Sequence, residues 1–459
     1  MSVPHFRKVA AIALATGLGL GLAACSTKSD DDTDAAGKTI ITVDCQPVGA
    51  QKNLLQAWND DVKAFEAANP TIKIKSVSVG TQCANPPDFT ARLQGGSMTD
   101  VFYGYMTDVQ QVIDSGQAMD ITAYANKDNI PNWDDVLGDA KNTFTQDGKV
   151  WGIPTKNYSM GLVYNKTLFA KAGLDPKSPP KTWAEVREAA KKISALGDGI
   201  AGFGEYSSGN TGGWHFTAEI YSQGGALVTA DGKKADFNND MGKKVLQNLK
   251  DMRYGDNSMG ARQLLGWGDL LTIAGAGKVG MFVGAPDATT AIVTQFQGKY
   301  EDWAMGAMPG QDGAAKGTLG GGEGYFFKKG LTDDQVKAGL KWLAFEKLTV
   351  GKGQFDYARA KAQGEQVGLP QPQLFTPGST SQKAEFEQRK ANGNISPDDF
   401  AAFENNPVTI KFEPANAQGI YAILDGAMSA ILTNPNANVD AELKKAEEKV
   451  NQLLAQAAK

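Results

Sequence analysis

The chain has 459 residues, a formal net charge of -5, 41% apolar and 21% charged residues, so it can bury more than one core and does not have a disordered composition. Acidic and basic residues are mixed along its length with no extended basic stripe, which argues against nucleic acid as a partner.

Arg7 and Lys8 precede a short run of small apolar residues, 9–21, which falls below the roughly 20 residues a membrane-spanning helix needs and fits the apolar part of a secretory signal. The run ends in Leu22-Ala23-Ala24-Cys25, which resembles the lipobox of bacterial lipoproteins. That resemblance implies a signal peptide over 1–24 and a lipid on the Cys25 thiol; the alternative is a plain signal with a chance cysteine. Loss of Arg7 and Lys8 takes the formal charge to -7. Residues 25–37 are acidic and aperiodic and read as a flexible tether. Of the three cysteines, Cys45 and Cys83 then remain. In an exported chain they are expected to pair, the alternative being two buried thiols.

Thr39 to Val43 reads as a buried strand, and Leu55, Trp58, Val62 and Phe65 recur at helical spacing until Asn69-Pro70. Ile72 to Lys75 alternates as a half-exposed strand running on to Val79. A helix from Phe89 to Leu93 ends at Gly95-Gly96, and Asp100 to Tyr103 is the next strand. Strands alternating with helices predict a doubly wound α/β sheet, in which ligands bind beyond the carboxyl ends of the strands, here near Asp44, Gly80 and Tyr103 to Tyr105. A second unit starts after Trp151-Gly152-Ile153-Pro154. It has a strand over Gly161 to Tyr164 and a helix closed by Gly173. A capping box at Thr182 to Glu185 then opens a helix that buries Trp183, Val186, Ala190 and Ile193. The last helix shows Leu443, Ala446, Val450 and Leu453 on one face. Residues 353–413 read as loops and peripheral helices, including Ser381 to Lys390.

Catalytic motifs mostly fail. His5 lies in the leader, so His215 is the lone mature histidine, and its neighbours Trp214 and Phe216 suit a packed or ligand-contacting ring better than a base. No clustered His or C-x-x-C exists for a transition metal, and no cofactor is expected. Gly197-Asp198-Gly199-Ile200-Ala201-Gly202 follows a predicted helix and precedes a strand, the reverse of a dinucleotide site. Ala274 to Val279 is similar to a P-loop but carries Thr272 for the first glycine and Val279 for the magnesium ligand. With 51 acidic residues, some carboxylate pair suited to glycoside hydrolysis stays open.

Several blocks occur in a fixed order. They are Phe65 to Lys75, Ala91-Arg92-Leu93 with Thr99-Asp100-Val101, Gly148 to Pro154, and Tyr164-Asn165-Lys166 followed by Ala172-Gly173 and Thr182-Trp183. Gly277 to Phe282 and Met308-Pro309 with Leu319 to Gly322 complete the series. Their order resembles the extracellular solute-binding proteins of carbohydrate-importing ABC transporters, relatives of maltose-binding protein. The resemblance implies a two-lobed periplasmic-binding-protein type II fold, with 38–155 and 318–377 in lobe 1 and 156–317 and 378–459 in lobe 2. It also implies a monomer that closes on a sugar and docks on a transmembrane permease. Rings suit the apolar face of a pyranose, and amides and carboxylates suit its hydroxyl rim.

Strand ends and the resemblance together nominate Tyr103, Tyr105, Tyr158, Trp214, Trp267, Asp287, Gly321, Gly322 and Glu323 as ligand-binding. At Asp287 the family often has Trp, and its late-helix aromatic falls near Ile420 and Tyr421. Trp58 and Trp183 are expected in the core, and Trp151 near the hinge. The functional expectation is a lipid-anchored sugar-binding protein on the outer face of the cytoplasmic membrane. The rivals are a lipid-anchored glycoside hydrolase and a same-fold binder of a polyamine or peptide.

Overall fold

A computed structural model describes residues 33, 37–80, 83–370, 374–404, 408–414 and 416–457. The leader, Cys25 and all of the acidic spacer except Thr33 and Gly37 lie outside the described residues.

The first sheet has six strands. Thr39–Val43 pairs in parallel with Ile72–Ser76 and with Val101–Tyr105. The intervening helix Lys52–Ala68 turns Trp58 and Phe65 inward, where they meet Trp342 edge-on at ring separations of 5.4 and 5.3 Å. Ile72 and Ile74 are buried while Lys73 and Lys75 point to solvent, the alternation a one-sided strand requires. That strand stops at Ser76, short of Val79.

The second sheet runs Trp303–Gly306, Gly161–Asn165, Val279–Gly284, Ala201–Phe203. Helix Trp183–Ser194 lies against it with Trp183, Val186, Ala190 and Ile193 buried. It starts at a capping box in which Thr182 Oγ1 accepts the Glu185 N–H and Glu185 accepts the Thr182 N–H. The last helix, Val439–Ala457, buries Leu454 and leaves Leu453 partly buried. The Gly-rich segment 197–202 is the exit from Trp183–Ser194 towards a strand. Residues 274–279 likewise join helix Trp267–Gly275 to strand Val279–Gly284, so neither has phosphate-loop order.

The two halves are joined where Gly152–Ser159, in the first sheet, runs through Met160 into Gly161–Asn165 in the second. The returning strand Thr318–Phe327 pairs antiparallel with Gly152–Ser159 and with Val101–Tyr105. Thr318 Oγ1 donates to the Met160 carbonyl at 2.7 Å, which ties the two crossings together. Two features differ from the expected division of the chain. Residues 156–159 continue the first sheet rather than opening the second half. Ile410–Phe412 adds a parallel edge strand to Thr318–Phe327, although the residues around it were assigned to the other half. Sequence gives no register for so short a strand; the free edge of Thr318–Gly320 selects it.

Among the described residues, no helix is long and apolar enough to cross a membrane. No group of three His, Cys, Asp or Glu is placed to hold a metal.

Candidate functional site

A cavity of about 550 Å³ opens between the two halves. One wall comes from the first half: Pro47 after the first strand, Thr155 and Asn157 on the crossing strand, and Glu323 on the return strand. The facing wall is Trp267, at the start of helix Trp267–Gly275, with Asp287 and Thr290 on helix Asp287–Thr294. Trp267 is held edge-on by Phe296 at 6.0 Å, which leaves its ring part of the cavity lining. The far side is lined by residues between 353 and 369 and between 374 and 389, including Gln354, whose amide donates to the Thr155 carbonyl at 2.8 Å.

Charge in the wall is committed to pairs. Lys156 meets Asp287 at 3.4 Å, from opposite sides of the cavity. Arg359 meets Asp61 at 2.6 Å, Arg389 meets Glu385 at 3.2 Å, and Lys347 meets Glu346 at 3.4 Å. Burial alone would lower the Lys156 ammonium, but Asp287 and Glu323 raise it above its ordinary value. Glu346 lies in a π-helical turn, Ala344–Leu348, and is 6% exposed. Burial pushes its carboxyl up to about 7, Lys347 opposes this, and Asp61 adds to it. Its Oε2 atom has no hydrogen-bond partner.

Beside the cavity lies a second cluster, reached through Glu323. Tyr103 donates its hydroxyl to Glu323, and its ring meets Tyr105 edge-on at 5.5 Å. Tyr158 and Tyr421 both donate to Glu413, each at 3.0 Å. The Trp214 indole N–H donates to the Tyr158 oxygen at 2.9 Å. Burial pushes Glu413 up to about 7, the two tyrosine hydroxyls oppose this, and Asp108 adds to it. Asp108 is itself pushed up to about 7 by burial, although it accepts the Tyr105 N–H at 2.9 Å. Gln418 donates to Thr107 Oγ1 at 3.0 Å, joining the late helix Ala417–Thr433 to the turn after Val101–Tyr105. This polar contact and the Lys156–Asp287 pair bridge the halves.

His215 is fully buried and shares a 2.6 Å hydrogen bond with Glu205 at Nδ1. Tyr206 packs on its ring at 4.3 Å. The His215 ring centre lies 5.4 Å from that of Trp214, and His215 is not among the residues lining the cavity, in line with a packed ring.

A family model for bacterial extracellular solute-binding protein matches residues 51–350. The chain belongs to the bacterial extracellular solute-binding proteins. This is a family of binding proteins rather than enzymes, and one that works outside the cytoplasm. A curated relative, the sn-glycerol-3-phosphate-binding periplasmic protein of Brucella abortus, is 29% identical over 218 residues, 43% of this chain and 45% of the relative. The chain thus spans about half the length of the curated relatives it matches. Among solved structures, the cyclic α-maltosyl-1,6-maltose binding protein of Arthrobacter globiformis superposes with a TM-score of 0.64 at 22% identity, over 92% of this chain and 100% of that one. An ABC transporter solute-binding protein from Thermotoga lettingae, bound with α-D-tagatose, gives 0.73 at 21% identity over 90% and 99%. The glycerophosphocholine complex of UgpB from Mycobacterium tuberculosis gives 0.70 at 15% identity over 92% and 99%. These likenesses fix the two-lobed fold.

Within this solute-binding protein the nominated residues divide. Trp267, Asp287 and Glu323 line the cavity. Tyr103 joins them through Glu323, with Tyr105 against its ring. Trp214 donates to Tyr158, and Tyr158 to Glu413, in the neighbouring cluster, outside the cavity lining. Gly321 and Gly322 pair with Tyr158 and Asn157 in the sheet. A Cβ on Gly321 would collide with the Tyr158 hydroxyl and Glu413, so this glycine permits close approach. Cys45 and Cys83 form a disulfide, with Cα atoms 5.2 Å apart, that ties the segment after strand Thr39–Val43 to the one before helix Pro86–Gln94. Trp58 and Trp183 are core residues. The lipidation residue Cys25 lies outside the described residues.

Sequence reasoning did not find Glu413, Asp108, Glu346 or Arg359. Each is one polar residue in an unremarkable local context, and its role depends on a partner 255 or 298 positions away or on burial. Tyr421 alone carried a signal, because the family's late-helix aromatic falls there.

Proposed function

We propose that this protein captures a sugar or oligosaccharide in the cleft, releases it intact, and delivers it to the permease of an ABC importer. The carrying observation is the cavity of about 550 Å³ between the halves, a size suited to a small ligand, with Trp267 on one wall and amide and carboxylate groups opposite. An aromatic face with a polar rim is the chemistry a pyranose asks of a site. Closure of the halves around the ligand is the signal a permease reads, since only the loaded form populates the closed state strongly. A diacylglyceryl group on Cys25 holds the mature chain at the outer face of the cytoplasmic membrane through the acidic spacer, and the protein acts as a monomer. The lobe boundaries proposed are 38–155 with 318–377 and 156–317 with 378–459, amended by residues 156–159, which continue the first sheet, and by the edge strand Ile410–Phe412. Tyr103, Tyr105, Tyr158, Trp214 and the Gly321–Gly322 backbone are proposed to meet the ligand when the cluster around Glu413 opens.

Thermal-shift screening of the mature protein against mono- and oligosaccharides tests the reading, because a ligand that binds only the native state raises the melting temperature by mass action. The expected result is a shift with at least one sugar, reduced at least tenfold in apparent affinity by Trp267→Ala. Absence of any shift across the panel, or hydrolysis of a bound oligosaccharide over hours, rejects it.

A further inference from the structure

We infer that Asp287 is a charge-selectivity residue: by claiming the Lys156 ammonium across the cleft, it closes the cavity to phosphate esters and reserves it for uncharged or positively charged hydroxyl-rich solutes. The inference rests on the binding reading above and adds the class of solute.

Three observations carry it. First, an Arg fork or a Lys ammonium is a common donor to a phosphate. The cavity wall holds four cations, and each lies within ion-pair distance of a carboxylate of the same wall. Second, the wall carries seven carboxylates against those four cations, so a dianion entering the cavity meets net negative charge. Third, Lys156 and Asp287 come from opposite halves and their pair spans the cleft, so this cation is neutralised by the residue facing it.

The chemistry separates this chain from the curated relative, whose name declares a phosphate ester. Asp287 follows Pro286 at the start of its helix, a place where the family resemblance expects Trp. A carboxylate instead takes the lysine and leaves ring stacking to Trp267, which lines the same wall.

The test uses the full mature protein and sn-glycerol 3-phosphate as the probe, titrated by calorimetry into the wild type, Asp287→Asn, and Asp287→Asn combined with Lys156→Ala. Asp287 is half exposed and its amide is isosteric, so the single variant keeps the fold; its melting curve checks this. The wild type is expected not to bind the probe at millimolar concentration. Asp287→Asn should gain at least tenfold in affinity, and the double variant should lose that gain. Micromolar binding by the wild type overturns the inference, as does an Asp287→Asn variant with no gain. Neutral sugars titrated in parallel separate the two readings: if one binds while the variant gains nothing, sugar capture stands and the selector role falls.

Discussion

Severing the Cys45–Cys83 disulfide should destabilise the first half of the molecule by about 4 kcal/mol, an upper value from the chain-entropy relation for a loop closed by residues 38 apart. The bridge links the segment after strand Thr39–Val43 to the segment before helix Pro86–Gln94. Cys45 also sits at φ +69°, a left-handed conformation that costs a side chain roughly 1–2 kcal/mol and that the bridge helps to hold. Cys45→Ser with Cys83→Ser should therefore lose both the cross-link and the support for that turn. Cys45→Gly with Cys83→Ser should recover about 1 kcal/mol of the difference, because glycine adopts the turn freely. Urea unfolding followed by far-UV circular dichroism, with and without a phosphine reductant, measures the loss as a shift of midpoint at unchanged slope. For a unit of about 200 residues each kcal/mol lowers the melting temperature by roughly 2–4 °C, so the full effect is on the order of 10 °C. Pro47 belongs to the same turn and to the cavity wall, so ligand affinity should fall as well. Identical midpoints for oxidised and reduced protein, with mass spectrometry finding two free thiols after reduction, would refute the reasoning.

Other outcomes follow from single residues. Glu346 has its folded carboxyl raised to about 7 from 4.5, so the native state binds more protons than the unfolded state between those values and stability falls as pH rises through that window. Glu346→Gln should flatten the fall, by an amount on the order of 3 kcal/mol at pH 8; denaturation midpoints at pH 4 and pH 8 that move in parallel for both proteins contradict this. Tyr158→Phe strips one donor from Glu413 and the acceptor from the Trp214 indole, and should cost about 1–3 kcal/mol in melting experiments. Gly321→Ala drives a methyl into Tyr158 and Glu413, and a loss of about 1–3 kcal/mol is expected, with an unchanged melt arguing against the close approach. Thr182→Ala removes the cap from helix Trp183–Ser194 and should cost about 1 kcal/mol by urea unfolding, with Thr182→Ser restoring most of it.

The pattern of the chain reached far into the fold, because secondary structure and its buried faces are set by neighbours a few residues apart. Thr39 to Val43, the helix that buries Trp58 and Phe65, the capping box at Thr182 and the apolar stripe of the last helix are all local signals. The pairing of Cys45 with Cys83 was also legible, since two predicted adjacent strands and an exported chain leave few partners. Trp267 and Asp287 could be nominated from flanking glycines and from their place in an ordered set of blocks.

What the sequence alone could not decide is how distant charges share one space. The partner of Lys156 is set 131 residues away, and that of Arg359 lies 298 residues away, by the way the halves face each other. The edge strand Ile410–Phe412 joins the first sheet only because Thr318–Gly320 offers it an open edge. Glu413 likewise sits between Tyr158 and Tyr421 because tertiary packing removes it from water, and burial then raises its carboxyl. Local pattern determines which elements form and which face they bury. Net charge, proton affinity and shape in the cleft depend on dielectric and on groups that meet only after the chain has folded.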